Sequence, residues 1–254
     1  MEIWSRLGTE AVMEQSGRGE RILRAAGELL VAWGYRRVTT DEIARRAGVG
    51  KGTVYLHWKT KDALLLAVLL DSKNAALQRQ LERQRECPLE VLPSRMARGY
   101  FRDFLTSPVL RALHTDDTNV LGRLNDIAAT ELAELTAHTN RALLDHLEIL
   151  RTHGLVRDDL ATTDQLHTFT AVLSGFFTTE VLLDGRVPET TGSRADLLAR
   201  TLRAALETPA GSAADPGDLP GVRSAAALAA PAVTALYERI AQLSAEEMRR
   251  RLRD

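Results

Sequence analysis

The stretch TTDEIARRAGVGKGTVYLHW, residues 39–58, decides the fold. Thr39 and Glu42 have the spacing of a capping box, and Asp41 and Glu42 suit the positive end of a helix dipole. A helix therefore opens here, with Ile43, Ala44 and Ala47 on its inner face. Ala44 is small where a second helix crosses closely, and Gly48 permits the tight turn Gly48-Val49-Gly50. Lys51–Trp58 forms the next helix. Ile43, Ala47, Val49 and Val54 then make a small core that fixes the angle between the two. This is a helix-turn-helix, which presents its second helix to a major groove while the first crosses the backbone. That second helix carries Lys51, Thr53, Tyr55 and His57, with Lys59 and Lys61 just beyond. Hydroxyls and ammonium groups of this kind bind phosphate oxygens, and Lys51 is long enough to reach guanine edges.

The flanks agree. Upstream, Ile22, Leu23, Ala26, Leu29, Leu30 and Trp33 recur at helical spacing, predicting a helix from about Gly19 to Trp33 that Gly34 ends. Downstream, Thr60 caps a helix from Lys61 to about Arg85, with Leu64, Leu65, Val68 and Leu69 buried. The whole chain has net charge −1, but residues 18–62 hold ten Lys/Arg against five Asp/Glu. Positive charge is thus concentrated where phosphate binding requires it.

The segment Arg21–Ala26, Gly34-Tyr35, Thr39-Thr40, Ile43-Ala44, Ala47-Gly48-Val49, Gly52–Tyr55, His57-Trp58, Lys61-Asp62 and Leu64 resembles the N-terminal domain of the TetR family. The anchors run over about 45 residues, in order and without gaps. The resemblance implies that Thr40, Thr53, Tyr55, His57 and Lys61 contact the DNA backbone, and that Gly50, Lys51 and Gly52 face the bases. Trp58 stands where the family usually has Phe. Gly50 stands where Ser is common, which removes a capping hydroxyl. The resemblance further implies a second domain with a small-molecule cavity and a dimer interface. It makes Lys61–Arg85 the link between cavity and DNA-binding domain, with Pro88 at the pivot's far end.

The remainder reads as helical too. The 254 residues are 44% hydrophobic and 26% charged, with few aromatics and no β-branched runs, so the expected fold is all-α. Helices are predicted near 89–105, 108–114, 118–153 (with a break around Ala128–Thr130), 162–184 and 192–207. The expected domains are an N-terminal extension (1–17), the helix-turn-helix (18–62) and a ligand-binding and dimerisation domain (63–207). A linker (208–224), rich in Pro and Gly, and an amphipathic C-terminal helix (225–254) follow, the helix expected over Pro231–Arg253. This last helix either docks on the ligand domain or a partner subunit, or is a solubilising tail. Helix 162–184 is apolar on more than one face and carries Gly175 in its middle, so it is expected to pack against its own copy in a homodimer. Phe169, Leu173, Phe176 and Phe177, with Leu198 and Leu202 of the next helix, are the expected interface. His114, Asn119, Asn125 and Thr170, polar residues embedded in apolar helices, are the candidate ligand contacts.

Several classes are set aside. No catalytic set converges, so an enzyme is not expected. The histidines His138, His146 and His153 are too far apart for a metal pair and read as solvated or core-edge; no metal or cofactor is expected. Asp116-Asp117 reads as a helix cap, and Cys87, alone, as an inert thiol. Met1–Gly17 lacks the pattern of a signal peptide and no stretch is apolar enough to span a bilayer, so a cytoplasmic protein with no membrane partner is expected. The expected partners are double-stranded DNA, a small-molecule inducer and a second copy of the chain, which makes the protein a dimeric repressor released by ligand. An activator or global regulator without an inducer, or a helical protein-interaction module, stays open beside this reading.

Overall fold

A computed structural model describes residues 2–183, 190–208 and 219–252, with side chains from residue 17 onward. Among these residues the chain is helical. The elements are α1 (Glu2–Arg37), α2 (Thr40–Ala47), α3 (Lys51–His57), α4 (Lys61–Glu86), a 3-10 turn (Pro88–Val91), α5 (Pro93–Thr106), α6 (Pro108–His114), α7 (Thr118–Leu121), α8 (Leu124–Glu131), α9 (Ala133–Thr152), α10 (Thr162–Leu182), α11 (Thr191–Leu206) and α12 (Pro220–Arg251).

Local signals set most of the boundaries. Thr39 accepts the Glu42 amide at 3.3 Å and Thr60 accepts that of Ala63 at 3.0 Å, so both expected caps form. The Glu42 carboxylate, however, pairs with Arg45. Gly48 takes φ +66°, the left-handed turn that the helix-turn-helix requires. Asp117 accepts the amides of Asn119 and Val120, as expected of a cap. The long segment predicted over 118–153 breaks at Gly122 (φ +53°) and again at Leu132, later than expected. α1 starts at Glu2 rather than near Gly19, because Glu, Ala, Met and Gln of the N-terminal extension favour helix and no proline interrupts them.

Two hydrophobic cores result. The first joins α1–α3 to the opening turns of α4 through Ile22, Leu30, Ile43, Val54, Trp58 and Leu64–Leu69. It also takes in Val109, Ala112, Leu121 and Leu124 of α6–α8. The packing unit containing the helix-turn-helix therefore does not end at residue 62. The second core holds the end of α4, the 3-10 turn, α5, α9–α11 and the first half of α12. α4 runs through both.

The tightest junction lies at Gly34, where α1 breaks with φ +74° and a methyl group on Cα would overlap the Asn119 carbonyl oxygen of α7. Gly34→Ala is expected to destabilise the protein by about 1–3 kcal/mol, from left-handed strain and this overlap together. Thermal unfolding checks it; an unchanged midpoint would show that α7 yields freely.

α12 departs most from the sequence expectation. It begins at Pro220, inside the stretch read as linker, and contains Pro231 rather than starting there. Residues 209–218, most of that expected linker, lie outside the described residues. The Ala-rich run 225–230 is strongly helix-favouring, and Ala226, Ala229 and Ala230 are buried. Pro231 frees the carbonyl of Ala227, an exposed residue open to solvent. The helix lies against α4, α9 and the 3-10 turn. There Tyr237 donates its hydroxyl to Nδ1 of His146 at 2.8 Å, and His146 Nε2 donates to the Val91 carbonyl at 2.7 Å. Burial pushes the His146 imidazole down to about 4, so the ring is neutral at physiological pH. His146, expected at a core edge, is therefore a fully buried strut. At its far end Arg251 pairs with Glu131 (2.6 Å) and Glu247 (2.7 Å).

Candidate DNA-binding face and ligand cavity

α3 projects from the first core by one face. Val54 and Trp58 are buried, while Lys51, Gly52, Tyr55, Leu56 and Lys59 are exposed, Leu56 at 79%. Gly50 caps α3 without a side-chain hydrogen bond, as the missing hydroxyl implied. The Lys51 ammonium sits 2.9 Å from Asp41, an exposed pairing that holds its charge at the helix start and raises its pKa. Such a surface pair is weak enough to exchange for a contact with DNA. Thr40 and Thr53 are half-buried beside this face. His57 lies against Gly19 of α1 and stacks obliquely on Trp58 at 5.4 Å, and burial lowers its pKa.

Lys61 has a structural task as well. Its ammonium donates to the carbonyls of Tyr35 (3.0 Å) and Val38 (3.3 Å) and lies 4.1 Å over the Tyr35 ring. The Tyr35 hydroxyl donates to Asp62 at 2.6 Å, and Arg123, after α7, reaches both that hydroxyl (2.8 Å) and Asp62 (2.6 Å). Residues 108–124 are thus bolted to the DNA-binding domain at Gly34, Tyr35 and Asp62.

The same segment touches a cavity at its other end. A cavity of about 380 Å³ lies within the helical domain, walled mainly by apolar groups of α4, α5, α9, α10 and α12. Its polar lining includes Lys73, Asn74, Tyr100, His114, Thr139 and Thr170. Thr136, Asn140, Thr170 and Ser174 are its exposed lining groups and mark its mouth, between α9 and α10. Tyr100 and Nε2 of His114 share a hydrogen bond of 2.6 Å, and Phe177 packs on His114 at 4.7 Å. Burial, aided by the nearby Lys73 charge, pushes His114 down to about 4, while burial, aided by the Asp103 charge, holds Tyr100 well above its ordinary value, so the pair is uncharged at neutral pH. Of the four expected ligand contacts, His114 and Thr170 line the cavity. Asn119 instead packs against Gly34, and Asn125 bonds Asp116. Tyr237, Ile240 and Ser244 of α12 also line it; in the sequence Tyr237 and Ile240 show only as part of that helix's apolar stripe.

The expected dimer residues divide. Phe169, Phe177, Leu198 and Leu202 are buried in the protomer's own second core. These four pack within the protomer rather than being offered to a partner; Phe177, for example, stacks on Phe104 at 4.3 Å. Leu173 and Phe176 are half-buried against the same core. Outside it, α10 presents Ala171, Gly175, Thr178 and Leu182 along one exposed stripe, and α11 presents Leu197, Thr201 and Ala204. Leu182 is 76% exposed, and a Cβ on Gly175 would meet open space. Among the described residues no helix is long and apolar enough to cross a membrane.

Residues 22–68 match the family model described as bacterial regulatory proteins, tetR family. An uncharacterised HTH-type transcriptional regulator of Mycobacterium bovis is 44% identical over 137 residues, spanning 53% of this chain and 65% of its own length. Among solved structures, the transcriptional regulator FadR of Bacillus subtilis, in complex with stearoyl-CoA, superposes with a TM-score of 0.58 at 18% identity, covering 72% of this chain and 96% of its own. NalD, the secondary repressor of the MexAB-OprM multidrug efflux pump in Pseudomonas aeruginosa, superposes with a TM-score of 0.56 at 20% identity, covering 77% and 98%. These two likenesses establish the shared fold.

Proposed function

We propose that the chain, whose residues 22–68 match the tetR-family model, is a transcriptional regulator of that family: a repressor that binds a palindromic operator as a homodimer in the cytoplasm and is released by a small molecule. One observation carries this reading: α4 forms one wall of the cavity at Leu70, Lys73 and Leu77 and, a turn earlier, is part of the core that holds the recognition helix. A ligand that prefers one setting of α4 then changes how the two recognition helices are spaced. The segment 108–124 supplies a parallel connection, from His114 in the cavity wall to Arg123 on Tyr35 and Asp62. Two solved neighbours favour ligand release, one bound to stearoyl-CoA and one named a repressor of a multidrug efflux pump.

In this reading Lys51, Gly52 and Gly50 face the bases, while Thr40, Thr53, Tyr55, His57 and Lys61 position the backbone. His57 and Lys61 do so from half-buried sites, so each also holds its neighbours in place. Selection of bound duplexes from a random pool, followed by gel shift at several salt concentrations, tests the function. A palindromic consensus with a steep salt slope is expected. Failure to retain any duplex would leave a protein-interaction module as the reading. On the selected operator, Lys51→Ala is expected to reduce affinity and to relax the consensus at the base pair it faces in each half-site. An unchanged consensus would remove Lys51 from the bases.

A further inference from the structure

Resting on the reading of the cavity as the effector site, we propose that its ligand is an organic anion, a carboxylate or comparable acid on an apolar body, held by the Lys73 ammonium. Among the described residues that line the cavity, Lys73 is the single ionic side chain, and no Asp or Glu joins it. It has no hydrogen-bond or ion-pair partner among the described residues, although it is largely withdrawn from water, and that withdrawal depresses its pKa. Its charge is felt inside the cavity, where it disfavours protonation of His114. An ammonium in such a place is costly until a counter-charge arrives.

The acids nearby do not supply that counter-charge. Asp103, close to Tyr100, is held by Arg79 at 2.6 Å and Arg83 at 3.3 Å. Asp71 is two residues away on α4, which turns its side chain to a different face, and it is an exposed residue whose charged neighbour is Glu20. The remaining polar lining is neutral. The Tyr100–His114 pair is uncharged, and Gln80 is occupied, donating to the Glu90 carbonyl while accepting from Arg83. A cation entering here would meet only Lys73 and lose its hydration without return. A neutral ligand would leave the ammonium unpaired. An anion with an apolar tail satisfies both the charge and the walls.

The test uses the full-length protein and matched probes: dodecyl and naphthyl bodies, each as carboxylic acid, primary alcohol and primary amine. Binding is read by calorimetry and operator release by fluorescence anisotropy, for the wild type and for Lys73→Met, which keeps the length and removes the charge. At least one acid is expected to bind about tenfold or more tighter than its alcohol, with its amine weakest, and Lys73→Met is expected to erase that preference. Lys73→Met is also expected to melt no lower than the wild type, because it removes an unpaired buried charge. Alcohols or amines binding as tightly as the acids, an acid preference that survives Lys73→Met, or no binding by any acid would each overturn the proposal. Acid binding that leaves operator affinity unchanged would overturn the induction mechanism and leave the anion site standing.

Discussion

A chain ending at Thr208, and therefore lacking α12, is expected to lose cooperative folding or to melt far below the full chain. α12 buries Val233, Tyr237 and Ile240 in the protomer. Each such side chain is worth roughly 1.5–3 kcal/mol of burial, against a total stability of about 5–15 kcal/mol for a typical domain. Removing the helix would also uncover Leu81, Leu89 and Val91 of the second core and leave the buried Nδ1 of His146 without a partner. Where truncation gives only aggregate, Tyr237→Ala in the full chain answers the same question. It deletes a wall of the cavity together with the His146 hydrogen bond, and a loss of about 3–5 kcal/mol is expected. Chemical denaturation measures both. A truncated protein with an unchanged midpoint and unchanged ligand response would make α12 a solubilising tail.

Leu182→Glu combined with Leu197→Glu is expected to convert the proposed dimer to monomers and to weaken operator binding by about 100-fold or more. Both side chains are exposed in the protomer, so the substitutions leave its own cores intact. Across a twofold axis each new carboxylate would be buried against apolar neighbours and near its symmetry copy. A dimer holds its second recognition helix at high effective concentration over the second half-site, and a monomer forfeits that gain. Sedimentation velocity reads the oligomeric state and anisotropy the affinity. A folded double variant that remains dimeric would move the interface away from the α10–α11 stripe.

The helix-turn-helix was legible in the sequence because its determinants are local. Thr39 and Thr60 cap their helices through amides three residues on, Gly48 supplies the left-handed turn, and Ile43, Ala47 and Val54 close the small core. The same holds for Asp117 as a cap and for Gly50 as a missing one. Ligand contacts were less legible. His114 and Thr170 reach the cavity while Asn119 and Asn125 do not, since a polar residue on a helix carries no mark of which neighbour its face will meet.

By itself, then, the sequence determined most of the helices, the turn chemistry and the polar face of α3, all set by interactions within a few residues of one another. It also determined that α10 and α11 must bury apolar surface. Only the tertiary structure decided against what. It turned Phe169, Phe177, Leu198 and Leu202 into the protomer's own core and left Ala171, Gly175, Leu182 and Leu197 outside. It brought α12 back across 91 residues to seat Tyr237 on His146, and it closed the cavity around Lys73. Hydrophobic attraction has no direction, so periodicity states how much surface a helix must hide. The partner that hides it is chosen by shape and by the few hydrogen bonds that long-range packing completes.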